Sequence, residues 1–157
     1  MIRIRHASLE DVRELASLHG ACFDDRWSAE SFRRLLDRPG AVALLAADKT
    51  ESESQSFILV QVALDECEIL TLGTIDGARR KGLALTLLKT AAKEAHALGA
   101  REMFLEVAED NHGAITLYRR AGFEIVGRRQ KYYRRADGTV LDAVMLRATL
   151  PLDRGPI

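Results

Sequence analysis

The stretch Ile75-Asp76-Gly77-Ala78-Arg79-Arg80-Lys81-Gly82-Leu83-Ala84-Leu85 decides the reading of this chain. It carries an apolar strand pattern into the longest helical pattern, with three consecutive basic residues between two glycines. The N-terminus of a helix offers unpaired backbone N–H groups and a partial positive charge. With Gly82 removing side-chain bulk, a phosphate can rest directly on that backbone. Gly77 and Gly82 have the spacing of the outer glycines of a Walker A loop, but Leu83-Ala84 stands where Lys-[Ser/Thr] is required, which excludes an ATPase loop. The run from Gly82 to Leu87 keeps the first glycine alone of G-x-G-x-x-G, which excludes a dinucleotide fingerprint.

Downstream of this turn, Leu83, Leu87, Leu88, Ala91, Ala92, Ala95 and Leu98 fall on one side of a helix expected over 83–98, with Gly99 as its stop. A strand over 103–107, a helix over 114–121 ended by Gly122, and strands over 123–133 and 140–146 joined at Asp137-Gly138 complete the chain. Upstream, 68–75 is a strand, and the apolar runs 41–47 and 57–64 flank the polar loop Asp48 to Ser54 as an antiparallel pair. Ser8 and Ser28 cap two earlier helices, the first carrying Leu9, Val12, Leu15, Leu18 and Cys22, the second Phe32, Leu35 and Leu36. A short strand over 2–6 starts the chain. The order β-α-α-β-β-β-α-β-α-β-β fits an α/β (α+β) fold, a mixed, mostly antiparallel sheet with helices on both faces.

The 157 residues suit a single domain, expected over 1–150 with a C-terminal tail at 151–157. Lys plus Arg and Asp plus Glu are 23 each, so the zero net charge argues against nucleic-acid binding driven by the whole molecule. Two cysteines without a CxxC exclude a disulfide framework and a Cys-rich zinc site, and the four histidines show no metal-ligand spacing, so no metal is expected. No secretory pattern and no apolar run of membrane-spanning length is present, which makes the cytoplasm the expected compartment.

Arg79-Arg80-Lys81-Gly82-Leu83-Ala84 resembles the R-x-x-G-x-[GA] signature of the GNAT superfamily of acyl-CoA N-acyltransferases. The later pattern L-E-V-x-x-x-N, from Leu105 through Asn111, followed by A-x-x-L-Y-x-x-x-G-F from Ala114 to Phe123, resembles the second half of the same core. Its form is most similar to the RimI-type enzymes, the ribosomal-protein alanine N-acetyltransferases. Trp27-Ser28, Tyr132-Tyr133 and Asp142-Ala143-Val144-Met145 agree with that likeness, which runs from about Ile2 to Leu150.

The resemblance implies acetyl-CoA as co-substrate and transfer of its acetyl group to a primary amine, with the N-terminal α-amine of a protein as the expected acceptor. It makes Glu106 the general base and Tyr118 the general acid. Arg80, Lys81, Gly82, Leu83, Ala84 and Leu85, with Arg79 before them, would hold the pyrophosphate; Leu72, Gly73 and Thr74 would line the pantetheine arm; Asn111 would contact the cofactor. Trp27, Tyr132, Tyr133 and Asp142 are the candidates for acceptor binding. Three departures stand beside the likeness: Thr74-Ile75-Asp76-Gly77-Ala78 before the phosphate motif, Arg26 where Pro usually precedes Trp-Ser, and Gln130-Lys131 where Asn commonly precedes the tyrosines. Two alternatives stay open. One is a small-molecule amine or antibiotic as acceptor. The other is a nucleic-acid-binding module built on the basic and aromatic run Arg128 to Arg135, a run that more often marks a solvated strand face.

Overall fold

The computed structural model describes residues 1–152, so most of the expected tail 151–157 lies outside the described residues. The element order is β1 (Ile2–His6), α1 (Val12–Cys22), α2 (Ala29–Leu36), β2 (Ala41–Asp48), β3 (Ser56–Ala63), β4 (Glu66–Thr74), α3 (Leu83–Ala97), β5 (Glu102–Ala108), α4 (His112–Arg120), β6 (Glu124–Arg134) and β7 (Val140–Thr149). The strands form one seven-stranded sheet in the order β1-β2-β3-β4-β5-β7-β6. β4 and β5 run parallel and the other neighbours are antiparallel. The expected architecture is the observed one.

The long apolar runs of β2 and β3 have a simple cause: both faces of the sheet are covered there, so alternation between apolar and polar is lost. Val42, Leu44, Ala46, Ile58 and Val60 join the core under α3 and α4, where Leu83, Leu87, Leu88, Ala91, Ala92 and Ala95 supply the helix stripe. Ala43, Leu45, Phe57 and Leu59 face the other way, onto Val12, Leu15, Leu18 and Phe32 of α1 and α2. Each fully buried leucine of that stripe contributes about 1.5–3 kcal/mol of transfer free energy.

Local signals set the helix ends. Ser28 accepts from the Ser31 N–H at 3.1 Å, and Gly99 takes the left-handed φ of +104° that closes α3. Three expected core positions are exposed instead. Leu9 lies in a 3-10 turn (Leu9–Asp11) whose tighter winding takes it off the stripe of α1. Leu64 lies one residue past β3 in a turn at φ +56° and is 93% exposed. Leu98 caps α3, which ends at Ala97, and is 57% exposed.

Candidate active site

The sheet opens in the middle. β4 and β5 pair at Glu66–Glu68 against Glu102–Phe104 and are unpaired beyond, where β4 runs on to Thr74 and β5 to Ala108. A bulge explains the parting. Leu59 faces Thr71 while Val60 faces Ile69, so Leu70 is an extra residue on β4 just after its last contact with β5, and a bulge bends its strand and increases its twist. The Ile75 N–H donates to Gln55 C=O, and the Ser56 hydroxyl donates to Gly73 C=O at 2.8 Å, so Ile75 and Gly73 point toward β3. By the alternation of an antiparallel ladder, Leu72 and Thr74 point their backbone N–H groups into the opening. Among Leu72, Gly73 and Thr74, Gly73 is thus turned away. Its missing side chain is a packing requirement, because a Cβ there would lie 2.9 Å from Phe57 Cε1 and 3.1 Å from Cys22 Cβ.

The phosphate motif sits at the mouth of this opening. Arg80 and Gly82 both adopt left-handed backbone, φ +67° and +81°, so the chain curls onto the first turn of α3. No side chain caps that turn and it carries no acidic residue. The first backbone bond of α3 runs from the Thr86 N–H to Gly82 C=O at 3.0 Å, which leaves the N–H groups of Leu83, Ala84 and Leu85 without helical partners. A Cβ on Gly82 would find its nearest neighbour, Ile2 Cδ1, 3.9 Å away, so the space beside Gly82 at the start of this turn is open. Arg80 and Lys81 are exposed beside it, whereas Arg79 is tied down by Asp76 at 3.1 Å and Thr74 C=O at 3.2 Å. Successive free N–H groups at a helix N-terminus form an anion cradle, and such a cradle fits a pyrophosphate.

Glu106 lies on β5 between Leu105 and Val107, which belong to the α3 and α4 core, and so it projects from the opposite face. Its Oε1 forms an ion pair with Arg129 Nε of β6 at 2.8 Å. Arg129 in turn lies over the ring of Tyr132, 5.3 Å from the centroid, and Tyr132 meets Tyr133 edge-on at 5.2 Å. Glu68 of β4 shares the face of Glu106. Burial first and the charge of Glu106 second push its carboxyl above the ordinary range, with Arg129 acting the other way. Burial, and then Glu106, also push up the Tyr133 phenol. Two carboxylates, one guanidinium and two phenols thus gather beside the opening.

Tyr118 approaches from the other side. It is 4% exposed in the α3 and α4 core, packs edge-on to Phe123 at 5.4 Å, and burial pushes its phenol pKa up. Glu106 and Tyr118 therefore stand on opposite faces of the sheet, and the β4/β5 opening is where groups from both faces can reach one reacting centre. Asn111 caps α4, its Oδ1 accepting from the Ala114 N–H at 3.2 Å, which leaves its Nδ2 for a ligand.

The remaining candidates line the approach. Trp27 stacks on His19 at 4.6 Å and 21°, beside Phe23 and Phe32, which anchors the loop between α1 and α2. Asp142 Oδ1 accepts from the Lys131 N–H at 3.0 Å. That bond pins a wide bulge in which Gln130, Lys131 and Tyr132 oppose Asp142 alone, with Lys131 at φ +54°. The bulge aims the tyrosine pair. In the basic run, Arg128 pairs with Glu109, Arg129 with Glu106 and Arg135 with Asp110, so three of its cations are already matched by carboxylates. Two surface clefts of about 670 and 580 Å³ lie against β1 and β2 and contain none of these residues.

Glu68 and Ser56 are the site residues that local patterns do not reveal, and Arg129 is legible only as part of the basic run, not as the partner of Glu106. The alternation of β4 gives Glu68 its face, but its meeting with Glu106 depends on which strand lies alongside.

An uncapped helix start beside two exposed cations, a sheet opened between β4 and β5, and a carboxylate and a phenol on its two faces suit one class, the acyltransferases that use a coenzyme A thioester. The acetyltransferase (GNAT) family model matches residues 12–123, and the chain belongs to that family. It is 33% identical over 91 residues to the [ribosomal protein bS18]-alanine N-acetyltransferase of Escherichia coli (strain K12), a stretch covering 58% of this chain and 61% of that protein. The crystal structure of the ribosomal-protein-S18-alanine N-acetyltransferase from Escherichia coli superposes with a TM-score of 0.87 at 24% identity, covering 98% of this chain and 96% of that one. Arabidopsis thaliana NAA60 in complex with acetyl-CoA gives a TM-score of 0.85 at 23% identity, covering 96% and 99%.

Proposed function

We propose that residues 1–150 form one acetyltransferase domain that moves an acetyl group from acetyl-CoA to the N-terminal α-amine of a protein, with a ribosomal protein as the acceptor that the Escherichia coli relative's name suggests. The observation that carries the reading is the β4/β5 opening, with the uncapped start of α3 at its mouth and Glu106 and Tyr118 on its two faces. In this reading the Leu83, Ala84 and Leu85 N–H groups, flanked by Arg80 and Lys81, hold the pyrophosphate, and the Asn111 amide adds a contact. The Leu72 and Thr74 N–H groups face the acyl end and supply donors for the oxyanion.

Acetyl-CoA supplies an activated thioester. The amine nitrogen attacks its carbonyl carbon, Glu106 takes the proton from that nitrogen, the C–S bond breaks, and Tyr118 gives its proton to the departing sulfur. Burial suits Tyr118 to this, because a raised pKa keeps the phenol protonated at neutral pH. The acceptor follows from the same proton. At pH 7 freeing the neutral base costs roughly 1 kcal/mol for an α-amine and about 4–5 for a lysine, and one carboxylate manages the first more easily. Trp27, Tyr132 and Tyr133 bracket the first residues of the acceptor, with Asp142 acting through the bulge it pins. No helix among the described residues is long and apolar enough to cross a membrane, and the cytoplasm is the compartment we assign.

The test offers acetyl-CoA and two versions of one short peptide, one with a free N-terminus and no lysine, the other N-blocked with one lysine. Faster acetylation of the free N-terminus is expected. Faster acetylation of the lysine overturns the acceptor assignment, and acetylation of neither favours a small-molecule amine.

A further inference from the structure

The Glu106–Arg129 pair bears directly on when the base is available. The guanidinium holds Oε1 of Glu106 at 2.8 Å, beside the Tyr132 ring that the proposed function sets against the acceptor. It is a cation in the place that the acceptor's own ammonium has to take. The Arg129 side chain is 55% exposed, so it is free to leave. Its guanidinium lies over the Tyr132 ring, 5.3 Å from the centroid, which tolerates a shifting cation, and Glu68 on β4 shares the face of Glu106 as a second carboxylate. Arg129 also begins the bulge of Gln130, Lys131 and Tyr132, which the Lys131–Asp142 bond holds.

We propose that Arg129 is a displaceable counter-ion that occupies Glu106 until an acceptor ammonium replaces it, so that the base is withheld from water while acetyl-CoA waits. The proposal rests on Glu106 being the base. The reaction it suppresses is hydrolysis: water attacks the thioester carbonyl, Glu106 takes a proton from that water, the C–S bond breaks, and acetate and the free thiol of coenzyme A leave. With the carboxylate engaged by Arg129, water finds no base. A peptide ammonium competes for Glu106, moves Arg129 toward Glu68, and then loses its proton to the carboxylate it has claimed. Arg129 thus acts as a positioning residue, coupling the arrival of the acceptor to the freeing of the base.

The experiment compares wild type, Arg129→Gln, Arg129→Lys, Glu106→Gln and the double variant Arg129→Gln/Glu106→Gln. Two quantities are read: release of free thiol from acetyl-CoA without acceptor, and calorimetric affinity of the free-N-terminus peptide for protein saturated with coenzyme A. In Arg129→Gln, hydrolysis should rise on the order of tenfold, part of the 10²–10⁴ a general base commonly provides. Peptide affinity should rise roughly two- to fivefold, the range over which an exposed ion pair competes. Arg129→Lys, which keeps the charge but loses the planar fork, should fall between the two. The double variant should lose the gain in hydrolysis. Unchanged hydrolysis or unchanged peptide affinity in Arg129→Gln overturns the proposal, as does a gain that survives in the double variant. Full peptide acetylation by Glu106→Gln alone removes the base assignment itself, whereas an inactive Glu106→Gln beside a silent Arg129→Gln removes only the counter-ion.

Discussion

Gly82 is the position where one atom separates folding from ligand binding. Its φ of +81° lies where an L side chain costs about 1–2 kcal/mol. The space around it is free, since the nearest neighbour of an added Cβ is Ile2 Cδ1 at 3.9 Å. Gly82→Ala therefore pays for backbone strain alone, and at about 1 kcal/mol the melting temperature of a domain this size falls by roughly 2–4 °C. A phosphate on the Leu83, Ala84 and Leu85 donors is expected to rest against the Gly82 backbone, where the added Cβ takes up space. A charge-assisted hydrogen bond is worth about 1.5–3 kcal/mol, so lifting a phosphate off one of them weakens acetyl-CoA by about tenfold or more. Gly82→Glu separates the effects further. Its carboxylate suits the helix N-terminus by about 0.3–1 kcal/mol, so the fold keeps most of its stability while the anion position is taken. A loss of binding on the order of 10² is expected there. Gly77→Ala is the control, because Gly77 has no neighbour within 4 Å of an added Cβ. Thermal melts and calorimetric titration with acetyl-CoA read both quantities. Wild-type acetyl-CoA affinity in Gly82→Glu would refute the placement of the pyrophosphate.

Tyr118→Phe removes the hydroxyl and keeps the ring against Phe123; kcat should fall by about 10²–10⁴ with acetyl-CoA affinity unchanged, and an unaltered kcat would make Tyr118 a packing residue. Glu68 has a carboxyl pKa raised in the folded state. Its contribution to stability is therefore present below the unfolded carboxylate range near 4.3 and is lost as pH rises through the folded value. Glu68→Gln should raise the melting temperature at pH 7 relative to wild type and leave it unchanged near pH 3.5; an equal effect at both would refute the linkage. Burial pushes the Cys67 thiol up to about 12. At pH 8 its thiolate fraction is on the order of 10⁻⁴, so iodoacetamide followed by mass spectrometry should leave Cys67 unmodified until the protein is unfolded.

Much of this molecule is legible without coordinates, for a physical reason that also sets the limit. Ser28, Gly82, Gly99 and Asn111 announce helix ends because caps and left-handed turns are matters of a few neighbouring residues. The runs 41–47 and 57–64 announce buried strands because burial on both faces leaves no polar alternation. The errors at Leu9, Leu64 and Leu98 are of one residue or one turn, at ends where a 3-10 winding or a positive φ breaks the period. Glu106 and Tyr118 can be singled out in the same local way, each by its place on an apolar strand or a helix. Their relation cannot. Whether they share a face depends on strand order and register, which non-local hydrogen bonds decide. The extra residue Leu70, the parting of β4 from β5, the gathering of Glu68, Glu106 and Arg129 from three strands, and the pairing of three cations of the basic run with Glu106, Glu109 and Asp110 all belong to that second level. Side chains far apart in the chain acquire a common chemistry only once the sheet has set their distances.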